Sequence, residues 1–308
     1  MRIALLLRTG KAYDDVQVSK KYRPWLKKSA SPEEAIYYYL RYTYPDLKID
    51  TFTVNTIHKL DYKKYKYVFV LFVDFVMTFL KMKTDKYKRF IEKINRIPNL
   101  IPNKQYINFI ADKCRYYKWL QKNKYPVLST KCFNLKSKST LKLKQNKFLK
   151  PTPSAESKNT FVYKTNTKQT SLNSYIQRLK KKYNKVIIQN YIKSFGTIKN
   201  KELKTYWVDT EYMYAIEIIG TGMGKGEQKV GETIPNQIKM ISKRLVKQLK
   251  STFKTPMIIT RIDWGKHENR YFINEIEYAP GTYAELFNNE WKLDKKIGDN
   301  VYKLIQSL

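Results

Sequence analysis

Apolar positions change their spacing along this chain, and the changes divide it. Residues 2–7 form a short apolar run, the pattern of a strand buried on both faces. Ser31-Pro32-Glu33-Glu34 is a capping box with proline at the first helical position, so a helix is predicted from there to about Thr43, stopping before Pro45. Residues 47–54 alternate as a second strand, and residues 67–74 read as a third, strongly buried one. Residues 83–97 place Tyr87, Phe90, Ile91 and Ile94 at helical spacing. This order of strands and helices predicts a small α/β domain with a mostly parallel sheet.

Pro98 and Pro102 mark a boundary. Beyond it, Asp112 caps a helix running through Lys122, with Lys113 in the first turn and Tyr116, Trp119 and Leu120 on the apolar side. A lysine-rich loop (136–145) leads to a short strand (147–151) containing Lys150, a small polar loop (152–160) and another strand (161–163). An amphipathic helix (171–183) and an apolar strand (185–190) follow, then alternating strands at 202–208 and 212–219. Five of the ten glycines fall between Gly220 and Gly231, the density of a mobile loop, either a lid over a site or a flexible surface linker. Ile238, Ile241, Leu245 and Leu249 define a helix face over 236–249, and residues 294–308 read as a closing amphipathic helix.

Between these two helices lies the stretch with the most chemistry. Residues 257–264 and 271–277 read as strands joined by a turn carrying Gly265, His267 and Asn269 and ended by Pro280-Gly281. Side chains two apart on a strand share a face. Arg261 and Asp263 therefore point one way, as do Glu275 and Glu277 on the neighbouring strand. If the two faces coincide, three carboxylates and a guanidinium converge, and a hard divalent cation such as Mg²⁺ (or Mn²⁺) is the usual partner of such a set. The plainer alternative is a solvated hairpin face on which the arginine neutralises its neighbours.

Composition narrows the options. The chain has 308 residues, with 61 Lys+Arg against 26 Asp+Glu, a formal charge of +35. Such a field attracts anions, although the abundance of Asn, Ile, Lys and Tyr matches AT-rich coding and accounts for part of it. With His58 and His267 as the only histidines, a histidine triad or zinc site is disfavoured. Cys114 and Cys132 have no metal or redox spacing, so a reducing, cytoplasmic setting is expected. The longest apolar run, 67–80, is interrupted by Asp74 and is too short to span a bilayer. The N-terminus lacks the pattern of a signal peptide.

The order of these features resembles the ATP-grasp superfamily of carboxylate–amine ligases, typified by D-alanine–D-alanine ligase and glutathione synthetase. The resemblance covers roughly residues 113–282. It implies an ATP-grasp fold, two α+β subdomains gripping ATP, preceded by a small Rossmann-like α/β domain. The implied division is 1–103 and 104–308, with 145–205 as a lid-like central subdomain. It further implies that Lys113 and Lys150 are the ATP-phosphate lysines. Gln189-Asn190-Tyr191-Ile192 is similar to the hinge that holds adenine, and Glu202 to the ribose-binding acid. Arg261 and Asp263 match the Arg-x-Asp pair, and Glu275 and Glu277 the Glu-x-Asn pair. In that scheme Arg261 is catalytic, and Asp263, Glu275 and Glu277 hold the metal. Three positions depart from the pattern: Glu277 stands for Asn, the loop after Lys150 has no glycine, and Gln189 stands where an acid is common.

The resemblance implies an ATP- and Mg-dependent ligase joining a carboxylate to an amine through an acylphosphate. The positive field suits an acidic small-molecule or peptide substrate. A kinase of the inositol-polyphosphate type is the alternative on the same fold, since ATP motifs do not carry the acceptor. A non-enzymatic nucleic-acid binder is a third reading. Alternating Tyr and Lys at 62–67 suggests it, but recognised binding motifs are absent.

Overall fold

A computed structural model describes residues 1–7, 32–71, 73, 75–137, 139–154, 158–195, 200–219, 227–231, 233–278 and 292–307. The basic loop after residue 7, Asp74, most of the glycine-rich segment and Pro280-Gly281 lie outside the described residues.

The chain opens with strand β1 (Arg2–Leu7), helix α1 (Pro32–Thr43), β2 (Lys48–Thr53) and β3 (Val68–Val70). Helices α2 (Phe75–Lys81) and α3 (Thr84–Asn95) and the short β4 (Leu100–Ile101) complete the first unit. These strands form a parallel sheet in the order β2-β1-β3-β4. The five buried residues of β1 fit its place between two neighbours. The strand read at 67–74 is shorter, ending at Val70, and the apolar run enters α2 at Phe75.

Next come α4 (Lys104–Ala111), α5 (Lys113–Lys122), β5 (Thr130–Asn134), β6 (Lys147–Thr152), β7 (Phe161–Tyr163), α6 (Gln169–Lys180) and β8 (Lys185–Asn190). Asp112 caps α5 by accepting from the Arg115 amide at 3.2 Å. The four strands pair antiparallel in the order β5-β8-β6-β7. They have a core of their own with α6, built from Leu135, Leu149, Leu172, Leu179 and Val186.

The third sheet uses β9 (Glu202–Val208), β10 (Glu211–Ile219), β11 (Glu227–Gly231), β12 (Thr260–His267) and β13 (Arg270–Glu277), ordered β11-β10-β9-β12-β13. Helix α7 (Asn236–Phe253) precedes β12, and α8 (Lys292–Ser307) closes the chain. The first and third sheets share their cores. Leu6 and Val70 pack in one cluster with Trp207, Trp264 and Ile276, and Leu5 and Phe69 in another with Tyr206 and Ile216. Helix α8 returns to α1, where the Tyr39 and Tyr44 hydroxyls donate to Asp299 at 2.7 and 2.9 Å.

Two sequence expectations need correction. The β12–β13 turn is Glu268-Asn269, with φ of 48° and 60°, and not the glycine three residues earlier. Gly265 lies inside β12, where a Cβ would come within 2.4 Å of the Phe272 ring and 2.6 Å of Phe195. Also, Cys114 on α5 and Cys132 on β5, which have no redox spacing in sequence, are joined as a disulfide with Cα atoms 5.8 Å apart.

Candidate active site

The site grows from the pairing of three neighbouring strands. The register sets Arg261 opposite Glu277 and Asp263 opposite Glu275 across β12 and β13. On the other side of β12, Asp263 lies opposite Lys204 of β9. The two faces expected from the sequence therefore coincide. One carboxylate oxygen from each of Asp263, Glu275 and Glu277 lies within 4.8 Å of the others.

Cations interlock with these acids. The Arg261 guanidinium donates to both Asp263 oxygens at 2.7 and 2.9 Å and to Glu277 at 2.6 Å. Lys204 donates to Asp263 at 2.9 Å and lies 3.3 Å from Glu202. Glu202 also accepts from Asn274 at 2.9 Å. From the facing elements, Lys113 and Lys150 both reach Glu275, Lys150 at 3.3 Å. The Lys113 backbone amide donates to Thr152 Oγ1 at 3.0 Å, which ties the start of α5 to the end of β6.

Lys113, Lys150, Lys204 and Arg261 thus oppose Glu202, Asp263, Glu275 and Glu277, four charges against four. This balance is what a mostly buried cluster requires, because an unpaired buried charge is costly. Burial pushes the Glu275 carboxyl up, but Lys113 and Lys150 outweigh it and hold the group well below the usual carboxylate range. Burial likewise acts against ionised Asp263, and Arg261 and Lys204 overcome it. Burial dominates at Glu202 and raises it, and at Lys150, where it lowers the ammonium despite Glu275.

The hinge residues stand apart from this network. Gln189 and Asn190 end β8, with the Gln189 amide donating to Thr130 at 2.9 Å and Asn190 accepting from Lys147 at 2.6 Å. The Tyr191 amide is taken by the Asn146 carbonyl at 3.2 Å, and Ile192 is buried. Among the described residues, none of these four bonds directly to the charged cluster. Tyr117 links the regions: its hydroxyl donates to the Asn274 carbonyl, and it neighbours Gln189.

Lys204, Asn274 and Tyr117 were not singled out from the sequence. Lys204 was legible, since it lies two residues from Glu202 on one strand face. Asn274 was not, because it is the unpaired residue of a bulge where Asp263 opposes Glu275 but Trp264 opposes Ile273.

The donor set fits the ligands that the sequence resemblance implies. Three carboxylates offer the all-oxygen environment that Mg²⁺ prefers, and two lysines beside them suit phosphate oxygens.

Comparison with solved structures agrees at the level of fold. The chain is similar to D-cycloserine synthetase, with a TM-score of 0.72, 14% identity, and coverage of 99% of this chain and 100% of that one. It is also similar to D-alanine–D-alanine ligase from Bacillus anthracis complexed with ATP, at TM-score 0.63, 15% identity, and 100% and 99% coverage. D-alanyl-alanine synthetase A from Vibrio cholerae gives 0.62, 13%, and 99% and 98%. No protein-family model matches the sequence, and no curated protein does either. The chain therefore has the ATP-grasp fold, as the order of motifs predicted. Among the described residues, no helix is long and apolar enough to cross a membrane.

Proposed function

We propose that this chain is an ATP-dependent ligase that joins a carboxylate to an amine. The observation that carries this reading is the carboxylate cluster of Asp263, Glu275 and Glu277, faced by Lys113 and Lys150 from separate elements. That is an arrangement for bringing a metal and a polyphosphate together.

In this reading Asp263, Glu275 and Glu277 hold Mg²⁺, which supplies charge neutralisation at the phosphates when bound. Lys113 and Lys150 turn from Glu275 to the phosphate oxygens. Arg261, fixed in place by Asp263 and Glu277, faces charge that develops on the transferred phosphoryl group and then on the oxygen of the tetrahedral intermediate. Because Glu277 is bonded to Arg261, its first task is to orient that guanidinium. Glu202 takes the ribose, and Gln189 to Ile192 take the adenine. The lid is the four-stranded sheet with α6, and it moves over the rest of 104–308, with 1–103 as the domain that precedes it. The 145–205 bounds shift accordingly, because β5 pairs with β8 in this sheet whereas β9 pairs with β12 in the third.

The substrate carboxylate would accept the γ-phosphoryl group to give an acylphosphate. The amine would then displace phosphate, leaving an amide, ADP and inorganic phosphate. The net positive charge favours acidic substrates.

The test supplies γ-labelled ATP and Mg²⁺ with pools of amino acids, peptides and inositol phosphates. A ligase releases label as inorganic phosphate only when a carboxylate and an amine are both present. Label retained on an organic product would establish a kinase instead. ATP neither bound nor consumed in any pool would overturn the reading.

A further inference from the structure

Two stretches of this chain contain no Asp or Glu at all, residues 113–155 and residues 233–262. They supply α5 and α7, and the fold brings the end of α5 against the middle of α7. Asn123 accepts from the Gln248 amide at 2.7 Å, and the Tyr125 hydroxyl donates to Gln248 at 2.7 Å. Exposed cations flank this junction: Lys118, Lys122 and Lys124 on one side, and Lys243, Arg244 and Lys247 on the other. Among the described residues none of the six has a carboxylate partner. By contrast Lys250, one turn further along α7, is neutralised by Asp209 at 2.8 Å, and the uncompensated surface ends there.

The centre of the patch is more specific than its charge. The Arg244 guanidinium lies 4.5 Å from the centre of the Tyr125 ring. That ring is buried and stacks on Trp119, with centroids 5.9 Å apart and planes 17° from parallel. Arg244 is thus backed by a fixed aromatic pair while remaining exposed. Arginine planes held in this way serve as stacking surfaces for unpaired bases. The pairs Lys118/Lys122 and Lys243/Lys247 are each one four-residue step apart, a rise of about 6 Å along a helix.

We propose that the α5–α7 surface binds single-stranded nucleic acid, with backbone phosphates on the flanking lysines and a base on Arg244. An acidic polypeptide would use the lysines equally well but offers a ring only where an aromatic residue falls in register with Arg244, whereas every nucleotide of a single strand carries one. The inference is independent of the ligase reading, because none of these residues belongs to the charged cluster.

The test is fluorescence anisotropy of a labelled single-stranded oligonucleotide of about 20 nucleotides, titrated with the full chain over a range of salt. The triple variant Lys122→Glu, Arg244→Glu, Lys247→Glu should weaken binding at least tenfold and flatten the salt dependence. The triple Lys168→Glu, Lys180→Glu, Lys181→Glu, which makes the same charge change on the α6 side, should weaken it less than threefold. Arg244→Lys keeps the charge and loses the plane, and should weaken binding threefold or more. Equal losses in the two triples would overturn the assignment to this surface. An Arg244→Lys protein that binds like wild type would overturn the stacking role. Competition by polyglutamate as effective as that by unlabelled oligonucleotide would overturn nucleic acid as the ligand.

Discussion

Glu275 is the residue on which the candidate site turns, because two lysines from different elements converge on it. Its folded-state ionisation lies below its ordinary value, so its ion pairs stabilise the fold at neutral pH. That contribution is lost as pH falls through and below the usual carboxylate range. Glu275→Gln leaves two buried ammonium groups without their partner, and should cost about 3 kcal/mol at pH 7. The gap from wild type should narrow toward pH 3, because the carboxyl takes up a proton in the unfolded chain there while folded Glu275 stays ionised, which favours unfolding of the wild type. Urea denaturation at several pH values checks this, and a gap of constant size would contradict the assigned pairing. The same variant should abolish metal-dependent ATP turnover. Lys204→Met unbalances Asp263 and Glu202 in a similar way, and should lower turnover at least a hundredfold with the fold retained. Near-normal turnover would show that Lys204 serves only packing. Lys150→Ala should weaken ATP binding by about tenfold, the scale of a lost charge-assisted contact, as read by calorimetric titration.

At the scale of elements, alternation along β12 and β13 was enough to find Arg261, Asp263, Glu275 and Glu277, because strand geometry alone puts alternate residues on one face. The partner strand β9 could not be chosen that way, since which strand lies beside β12 is decided by tertiary packing. Glycine also misled: Gly265 reads as a turn residue, yet it is a strand residue kept small by Phe272 and Phe195. Gly265→Ala should therefore destabilise the protein by about 1–3 kcal/mol through overpacking, measurable as a lowered thermal midpoint. Helix α4 was hidden by the prolines just before it, although Asn103 caps it by accepting from the Tyr106 amide at 3.0 Å. The Cys114–Cys132 pair was hidden as well, because a sequence separation of 18 matches no motif and only the fold joins the two cysteines. With that loop length, reduction should lower stability by about 3 kcal/mol. Thermal unfolding with and without a thiol reductant measures the difference, and a double serine variant should be indifferent to it.

At the scale of the whole molecule, the first and third sheets are continuous through shared cores, whereas the β5-β8-β6-β7 sheet has a core with α6 and enters a shared one through Ile187 and Cys132. The parallel first unit was legible because β1 and β3 are apolar runs and β2 alternates. Its fusion with the third sheet was not, because β1 and β9 are far apart in sequence and nothing local marks their packing. Nucleotide binding should slow amide exchange across the four-stranded sheet while leaving β1 and β3 unchanged. Hydrogen exchange with and without a non-hydrolysable ATP analogue would show it, and a uniform response would argue against an independently moving unit.

Glu275 also has a mechanical meaning. It stands on the third sheet, while Lys150 stands on the four-stranded one, so their ion pair is a clasp between the two sheets. Under the proposed function, a cation taking Glu275 and a phosphate taking Lys150 would each take over one half of that clasp, so that loading the site and loosening the two sheets from each other would be a single event.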